Sequence, residues 1–461
     1  MLLEKRMVER VIALALDKGA DFAEVYAERR VSTALSLEDG KLEKSSSGLD
    51  LGASVRAIKD RSTSFVSTDS LEEEPLLEAA RLAGEGAADG GGRAHALGGG
   101  EVIARHFIRV PPASVAAAAK VELLTAADGA ARAVGTEIIQ ATIGYNDTCS
   151  EVMVANSDGC FVTEERTRVR LVARVVAVRE GLMQTGYDSV GAHKGMELFR
   201  EQDPSAVGET AAKKALTMLD SRPAPSGKMA VVMHRGFGGV LFHEACGHGL
   251  EADAVEKGAS VFADKIGERV ASELVTLVDD GSIVGEWGSN AIDDEGVPTG
   301  RNVLIEAGIL RGYMYDRLRA RNAGVESTGN GRRQSFRHPP IPRMTNTFIL
   351  DGASSVPEVF ASTDSGFYAK TLSGGQVDPA TGDFVFGVSE GYMIEAGRVT
   401  YPLRGATLIG NGPAVLKNVD MVADDFEMNI GVCGKDGQGV PAGSGQPTLR
   451  ILDLTVGGTE V

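Results

Sequence analysis

The sequence predicts an α+β protein of two domains, with mixed and antiparallel sheets and a metal-motif helix at the start of a strand-rich carboxy-terminal domain. Three observations predict it. Helical and strand-like periodicities alternate up to the segment SRPAPSGK, 221–228. That segment interrupts the pattern with Pro, Ser and Gly. Beyond it, after one apolar helix, turn-punctuated strands dominate. The expected boundaries are 1–222 and 223–461, and a chain of 461 residues can bury two or three substantial cores.

Taken in order, Leu2 to Lys18 spaces its apolar residues helically and stops at Lys18-Gly19-Ala20-Asp21. FAEVYAERRVSTALSLEDGKLEKSSS reads as a strand pair turning at Asp39-Gly40, and ASVRAIKDRSTSFVST as a second pair. SLEEEPLLEAARLAGEGAA is helical. Residues 86–100, GAADGGGRAHALGGG, have no apolar periodicity and are expected to form a flexible loop. They lack the strand–helix setting of a phosphate cradle. A helix from Ala113 to Val134 precedes a hairpin turning at Ser157-Asp158-Gly159, and Pro204 to Leu219 is helical again.

In the second half, the strand MAVVMH leads into the helix that carries FHEACGHGLEAD, 242–253. Two later hairpins, 302–316 and 391–403, both turn at Glu-Ala-Gly. The polar loops DDEGVPTGR (293–301), STGNGRRQS (327–335) and SGGQVDPATG (373–382) have a character that suits a binding cleft or any turn-rich sheet.

Composition narrows the function. Hydrophobic residues make up 43% and charged residues 24%, as in ordinary globular enzymes. A net charge of −17 argues against nucleic acid as a partner, because that requires a basic footprint. No stretch approaches 18 consecutive apolar residues, so no membrane span is expected. The amino terminus reads as an amphipathic helix and not a signal peptide. Four cysteines, Cys149, Cys160, Cys246 and Cys433, do not make a disulfide framework, which points to a reducing, cytoplasmic setting.

The motif at 242–253 carries the chemistry. His243, Glu244 and His248 offer two imidazoles for a divalent metal and a carboxylate to move protons of water. The histidines are five apart, so on a regular helix they diverge by roughly 140°. They can share a metal only if the helix widens as a π turn or breaks near His248. Gly247 and Gly249 flank that histidine and permit such a departure. A chance coincidence without metal is the competing reading. A third ligand is sought in Cys433, between glycines at an expected strand end, where the alternative is a small half-buried residue. Arg332 and Arg333 are candidate substrate anchors, against solvated surface charge. For His95, His234 and His338 a structural role leads, and the pair Asp293-Asp294 with Glu295 could bind an additional cation or cap a turn, capping being the preferred reading.

HEACGHGLEAD, followed in order by SVFADKIGERVAS, IDDEGVPT, STGNGRR, PRMTNT, GGQVDP, LIGNG and CGKDGQGVPAGSGQPTLRI, resembles the TldD subfamily of the TldD/PmbA metalloproteases. The resemblance spans the whole carboxy-terminal half and, more loosely, the amino-terminal half through GASVRAIKDRSTSFVST. It implies zinc bound by His243, His248 and Cys433, with Glu244 as general base. It also implies cytoplasmic dimers, either of one chain or with a TldE/PmbA-like sister, acting on small or unfolded peptides. Cys246 departs from the family pattern, where an aliphatic residue would be unremarkable, and is read as packing. The alternative function is a non-hydrolytic peptide-binding subunit with a structural metal. A redox protein built on Cys246 and Cys433 is remote, because there is no C-x-x-C motif.

Overall fold

The computed structural model describes residues 2–87 and 94–459. Its first sheet has seven strands and is almost wholly antiparallel. Phe22–Glu38, Lys41–Lys59 and Ser62–Thr68 form a meander. Sequence had suggested two separate pairs here, but Lys41–Lys59 is one continuous strand shared by both. On its other edge Phe22–Glu38 pairs with Ile138–Asn156, which pairs with Phe161–Arg179. Leu182–Ala192 and the short parallel strand Glu101–Ile103 complete the sheet on Phe161–Arg179. The glycine-rich tract lies partly at 88–93, outside the described residues. Its later part is pinned, His95 N–H donating to Ser157 O and Gly98 N–H to Gly159 O.

Period-two alternation divides this sheet into two unlike faces. Val25, Val55, Ala155, Ile143, Leu171 and Val175 point to one side and are buried there. That side is covered by the helices Lys5–Leu16 and Glu73–Glu85 at one end and Ala117–Ala133 and Pro204–Leu219 at the other. The opposite face carries Glu24, Tyr26, Glu28, Arg56, Glu164, Arg166 and Arg168, all buried. It meets the second half of the chain through ion pairs: Arg333 with Glu24 at 2.6 Å, Arg56 with Glu295 at 2.5 Å, and Arg166 with Asp294 at 2.6 Å. Buried charge tolerates this only where each partner is satisfied. The loops 293–301 and 327–335, whose sequence suits a binding cleft or any turn-rich sheet, thus make contact between the halves.

The second half contains a six-stranded mixed sheet, a two-stranded ribbon and an eight-stranded sheet. In the eight-stranded sheet, Gly227–Met233, Ser365–Val377, Asp383–Glu395, Thr407–Asn411 and Leu449–Gly457 pair in a closed ring. Closure removes the free edges of those strands where they pair. The two Glu-Ala-Gly turns repeat one conformation, with Ala307 and Gly308 at φ 45° and 81° and Ala396 and Gly397 at φ 47° and 72°. Positive φ at both central positions matches the right-handed twist of a two-residue hairpin. The six-stranded sheet ends in Glu427–Lys435, which pairs with Gln438–Gln446. The histidine segment packs against the core that this sheet shares with the ring.

Candidate metal centre

The backbone of the histidine segment changes pitch twice in a dozen residues. An α turn at Gly239–Phe242 widens to a π turn at His243–Gly247 and tightens to a 3-10 turn at His248–Leu250. A π turn closes hydrogen bonds five residues apart, so it restores to one face the residues that an α-helix separates. The rings of His243 and His248 accordingly meet edge to face, with centroids 5.5 Å apart. The glycines contribute differently from expectation. Gly247 has ordinary helical angles, φ −57° and ψ −48°. It is glycine because a Cβ there would lie 2.1 Å from Met344 Sδ. Gly239 likewise lets the segment press on the backbone of Gly445, 2.6 Å from a would-be Cβ.

Cys433 arrives from the terminal strand Glu427–Lys435. One ligand atom each from His243, His248 and Cys433 lies within 4.8 Å of the others, and all three residues are buried. Cys433 Sγ is 3.5 Å from His248 Nε2. Nitrogen and sulfur ligands about 2.0–2.3 Å from a tetrahedral ion stand roughly 3.3–3.6 Å apart, so this pair is already at ligand separation. Burial opposes an ionised Cys433, but His243 and His248 bring its thiol well below the usual range. Burial opposes charge on both imidazoles too, yet Cys433 raises that of His243, while Glu251 and Cys433 raise that of His248 well above the ordinary value. Buried His243 Nδ1 has no hydrogen-bond partner among the described residues. A thiolate, two imidazoles and an orphaned ring nitrogen fit a borderline-soft divalent ion.

Sequence reasoning missed the residues behind these three. His248 Nδ1 donates to Glu251 Oε2 at 2.9 Å, leaving Nε2 to face Cys433. Lys435 Nζ donates to the same Oε2 at 2.9 Å, to Asp253 Oδ1 at 2.6 Å and to Pro342 O at 3.1 Å. Burial works against ionising Glu251, but His248 and Lys435 bring its carboxyl down to about 2. An imidazole anchored through its second nitrogen keeps one tautomer and one ring orientation. Both residues were visible as signals: Glu251 three positions after His248, and Lys435 two after Cys433.

Glu244 keeps 30% of its side chain exposed, with Oε2 3.6 Å from His248 Nε2. It borders an open cleft of about 470 Å³, lined also by Gln376, Val377, Pro379 and Gly434. Of the three polar loops, therefore, only 373–382 reaches this cleft. Cys246 is buried in the core, and burial pushes its thiol up. His234 bonds to the Tyr368 hydroxyl at 2.8 Å and His338 to Ser335 Oγ at 3.0 Å. Asp293 Oδ1 accepts from the N–H groups of Glu295 and Val297, as in a capped turn. Arg332 and Arg333 are 3% and 4% exposed, so neither is a solvated charge, and both line a cavity separate from the cleft.

Models of the PmbA/TldA metallopeptidase domain 1, central domain and C-terminal domain match residues 23–87, 110–219 and 226–458. A metalloprotease TldD homolog of Haemophilus influenzae is 42% identical over 452 residues, covering 96% of this chain and 94% of its own. A metalloprotease of Methanothermobacter thermautotrophicus is 35% identical, covering 97% of this chain and 98% of its own. The crystal structure of TldE from Thermococcus kodakarensis superposes with a TM-score of 0.78 at 22% identity, over 98% of this chain and 99% of that one, a likeness of fold alone.

Proposed function

The chain belongs to the PmbA/TldD metallopeptidase family and is a metalloprotease, and on that premise we propose that it uses zinc to hydrolyse small or unfolded peptides. His243, His248 and Cys433 would hold the ion. The observation that carries this reading is the convergence of those three buried ligand atoms within 4.8 Å, with Glu244 at the adjoining cleft. When bound, the ion supplies Lewis acidity, bringing water towards deprotonation near neutral pH and polarising the scissile carbonyl. Glu244 takes the proton of the attacking water and returns it to the leaving amine. Glu251 acts through His248 and is a positioning residue, with Lys435 steadying its carboxylate. The peptide is read as extended, added to the outer edge of Glu427–Lys435 beside the cleft, where backbone pairing recognises chain with little regard to sequence.

A structural zinc would take four protein ligands. Among the described residues the group has three, and Cys246 is not one of them, which supports catalysis over the binding-subunit alternative. We place the enzyme in the cytoplasm, as a dimer with a second copy or a TldE/PmbA-like sister. Metal content and cleavage of an unfolded peptide, measured for the wild type beside Glu244→Gln, test this reading. One ion per chain in both, with cleavage reduced by about 10²–10⁴-fold in the variant, is expected. Equal cleavage by the two would refute the role of Glu244.

A further inference from the structure

The charged face of the first sheet does not neutralise itself where it meets the loop 327–335. A cavity of about 120 Å³ opens there, its charged lining being five arginines, Arg30, Arg166, Arg168, Arg332 and Arg333, against two carboxylates, Glu28 and Asp294. Three of the five arginines have carboxylate partners. Arg30 pairs with Glu28 at 2.5 Å, Arg166 with Glu164 at 2.9 Å and Asp294 at 2.6 Å, and Arg333 with Glu24 at 2.6 Å. Arg168 and Arg332 have none among the described residues. Arg168 donates to Trp287 O, Ser289 O and Asn290 Oδ1, each at 2.7 Å. Arg332 donates to Met344 O and to Pro441 O. Both side chains are buried, Arg168 at 8% and Arg332 at 3% exposed.

Carbonyl dipoles orient a guanidinium but do not cancel its charge, and a buried charge with no carboxylate paired to it is unfavourable even where Glu164 acts on Arg168 and Asp294 on Arg332 from a distance. Burial first, then Arg332 and Arg166, press Arg168 down to about 9. Burial presses Arg332 down to about 10, with Asp294 opposing and Arg343 adding to the effect. A guanidinium does not surrender its proton in a protein. The unfavourable field therefore stands until an anion relieves it. The carbonyl and Asn290 acceptors take Nε and Nη2 of Arg168 and one proton each of Nη1 and Nη2 of Arg332, so Nη1 of Arg168 and the remaining protons of Arg332 are the donors left for an oxyanion, and the cavity is large enough for one small oxyanion and little more.

We propose that this cavity is an oxyanion-binding site, holding one carboxylate-sized anion between Arg168 and Arg332. It is separate from the metal centre and does not depend on the peptidase reading. Val440, which lines the cavity, is the ladder partner of Cys433, so a bound anion sits against the hairpin that carries that cysteine. The oxyanion is either free in solution or the terminal carboxylate of a peptide.

Binding, not cleavage, is the readout. Sulfate, acetate, a dipeptide with a free carboxylate and the same dipeptide as its amide are titrated calorimetrically at one chloride-balanced ionic strength. Saturable one-to-one binding of an oxyanion is expected, weakened on the order of tenfold to a hundredfold by Arg168→Gln and by Arg332→Gln. Binding of the free-acid dipeptide but not its amide assigns the oxyanion to peptide. Binding of sulfate or acetate alone assigns it to a free anion. Should the variants fail to fold, wild-type crystals soaked in selenate are expected to show an anomalous peak between the two guanidinium groups. No saturable binding, equal binding by folded variants, or an empty cavity in the selenate crystals overturns the proposal.

Discussion

Replacing Glu251 by Gln isolates what an outer carboxylate contributes to the metal centre. The substitution keeps the size of the side chain and removes its charge. In the native chain Oε2 accepts from His248 Nδ1 and from Lys435 Nζ, each at 2.9 Å. An amide oxygen can still accept from the imidazole, but that bond falls from charge-assisted to neutral, a difference of about 1–1.5 kcal/mol. The expected cost is therefore about tenfold in metal affinity, the lower end of what outer partners of ligating histidines contribute. Lys435 retains Asp253 at 2.6 Å, so the metal-free fold is not expected to lose its ammonium anchor. Competition against a chromophoric chelator measures the affinity, and thermal unfolding of the metal-free protein measures the fold. Asp253→Asn is the control, because it disturbs Lys435 without touching His248, and it should leave affinity within about twofold of wild type. Unchanged affinity in Glu251→Gln, or equal loss in both variants, would refute the view that Glu251 acts by orienting His248.

Gly247→Ala puts a Cβ 2.1 Å from Met344 Sδ, and overpacking of this kind costs about 1–3 kcal/mol. Thermal midpoints and metal content should both fall, and Met344→Ala in the same chain should restore part of each; no rescue would mean that the π turn needs glycine for another reason. Arg56 is shared by Glu24 at 3.0 Å and Glu295 at 2.5 Å, and because Glu24 keeps Arg333 at 2.6 Å, Arg56→Met leaves buried Glu295 without its cation. Denaturant unfolding should show a loss of about 3–5 kcal/mol, and a loss below about 1 kcal/mol would contradict the pairing. Buried His193 stacks on His106, donates Nδ1–H to Ser289 O and accepts at Nε2 from Thr167 N–H, and burial followed by Arg168 holds its pKa well below 6.5. A base with a depressed folded pKa contributes stability that is complete above its unfolded pKa and lost as pH falls towards the folded one. As pH falls from about 7.5 towards 5 the wild type should therefore lose more stability than His193→Asn. Parallel pH profiles would sink that assignment.

Much of this molecule was legible in local pattern. Helix and hairpin signals located Lys5–Leu16, Pro204–Leu219 and the Asp39-Gly40 and Glu-Ala-Gly turns, because spacing and positive-φ chemistry act over a few residues. The five-residue separation of His243 and His248 likewise calls for a π turn or a break if the two are to share a metal, since helix pitch is a local property. The motif series through 243–451 carried the family. What the sequence could not decide was which distant groups share a low-dielectric space. Arg332 and Arg333 look like surface charge in STGNGRRQS, yet strand alternation turns Glu24, Arg166 and Arg168 towards them and buries the whole set. Glu251 is one more acidic residue until the 3-10 turn and the Cys433 strand bring His248 and Lys435 to its carboxylate. Gly247 is a permissive residue on paper and a steric necessity beside Met344. Local geometry depends on neighbours in the chain and is written in their order. Burial, charge compensation and close approach depend on what the fold places within a few ångströms, and only the tertiary structure decided those.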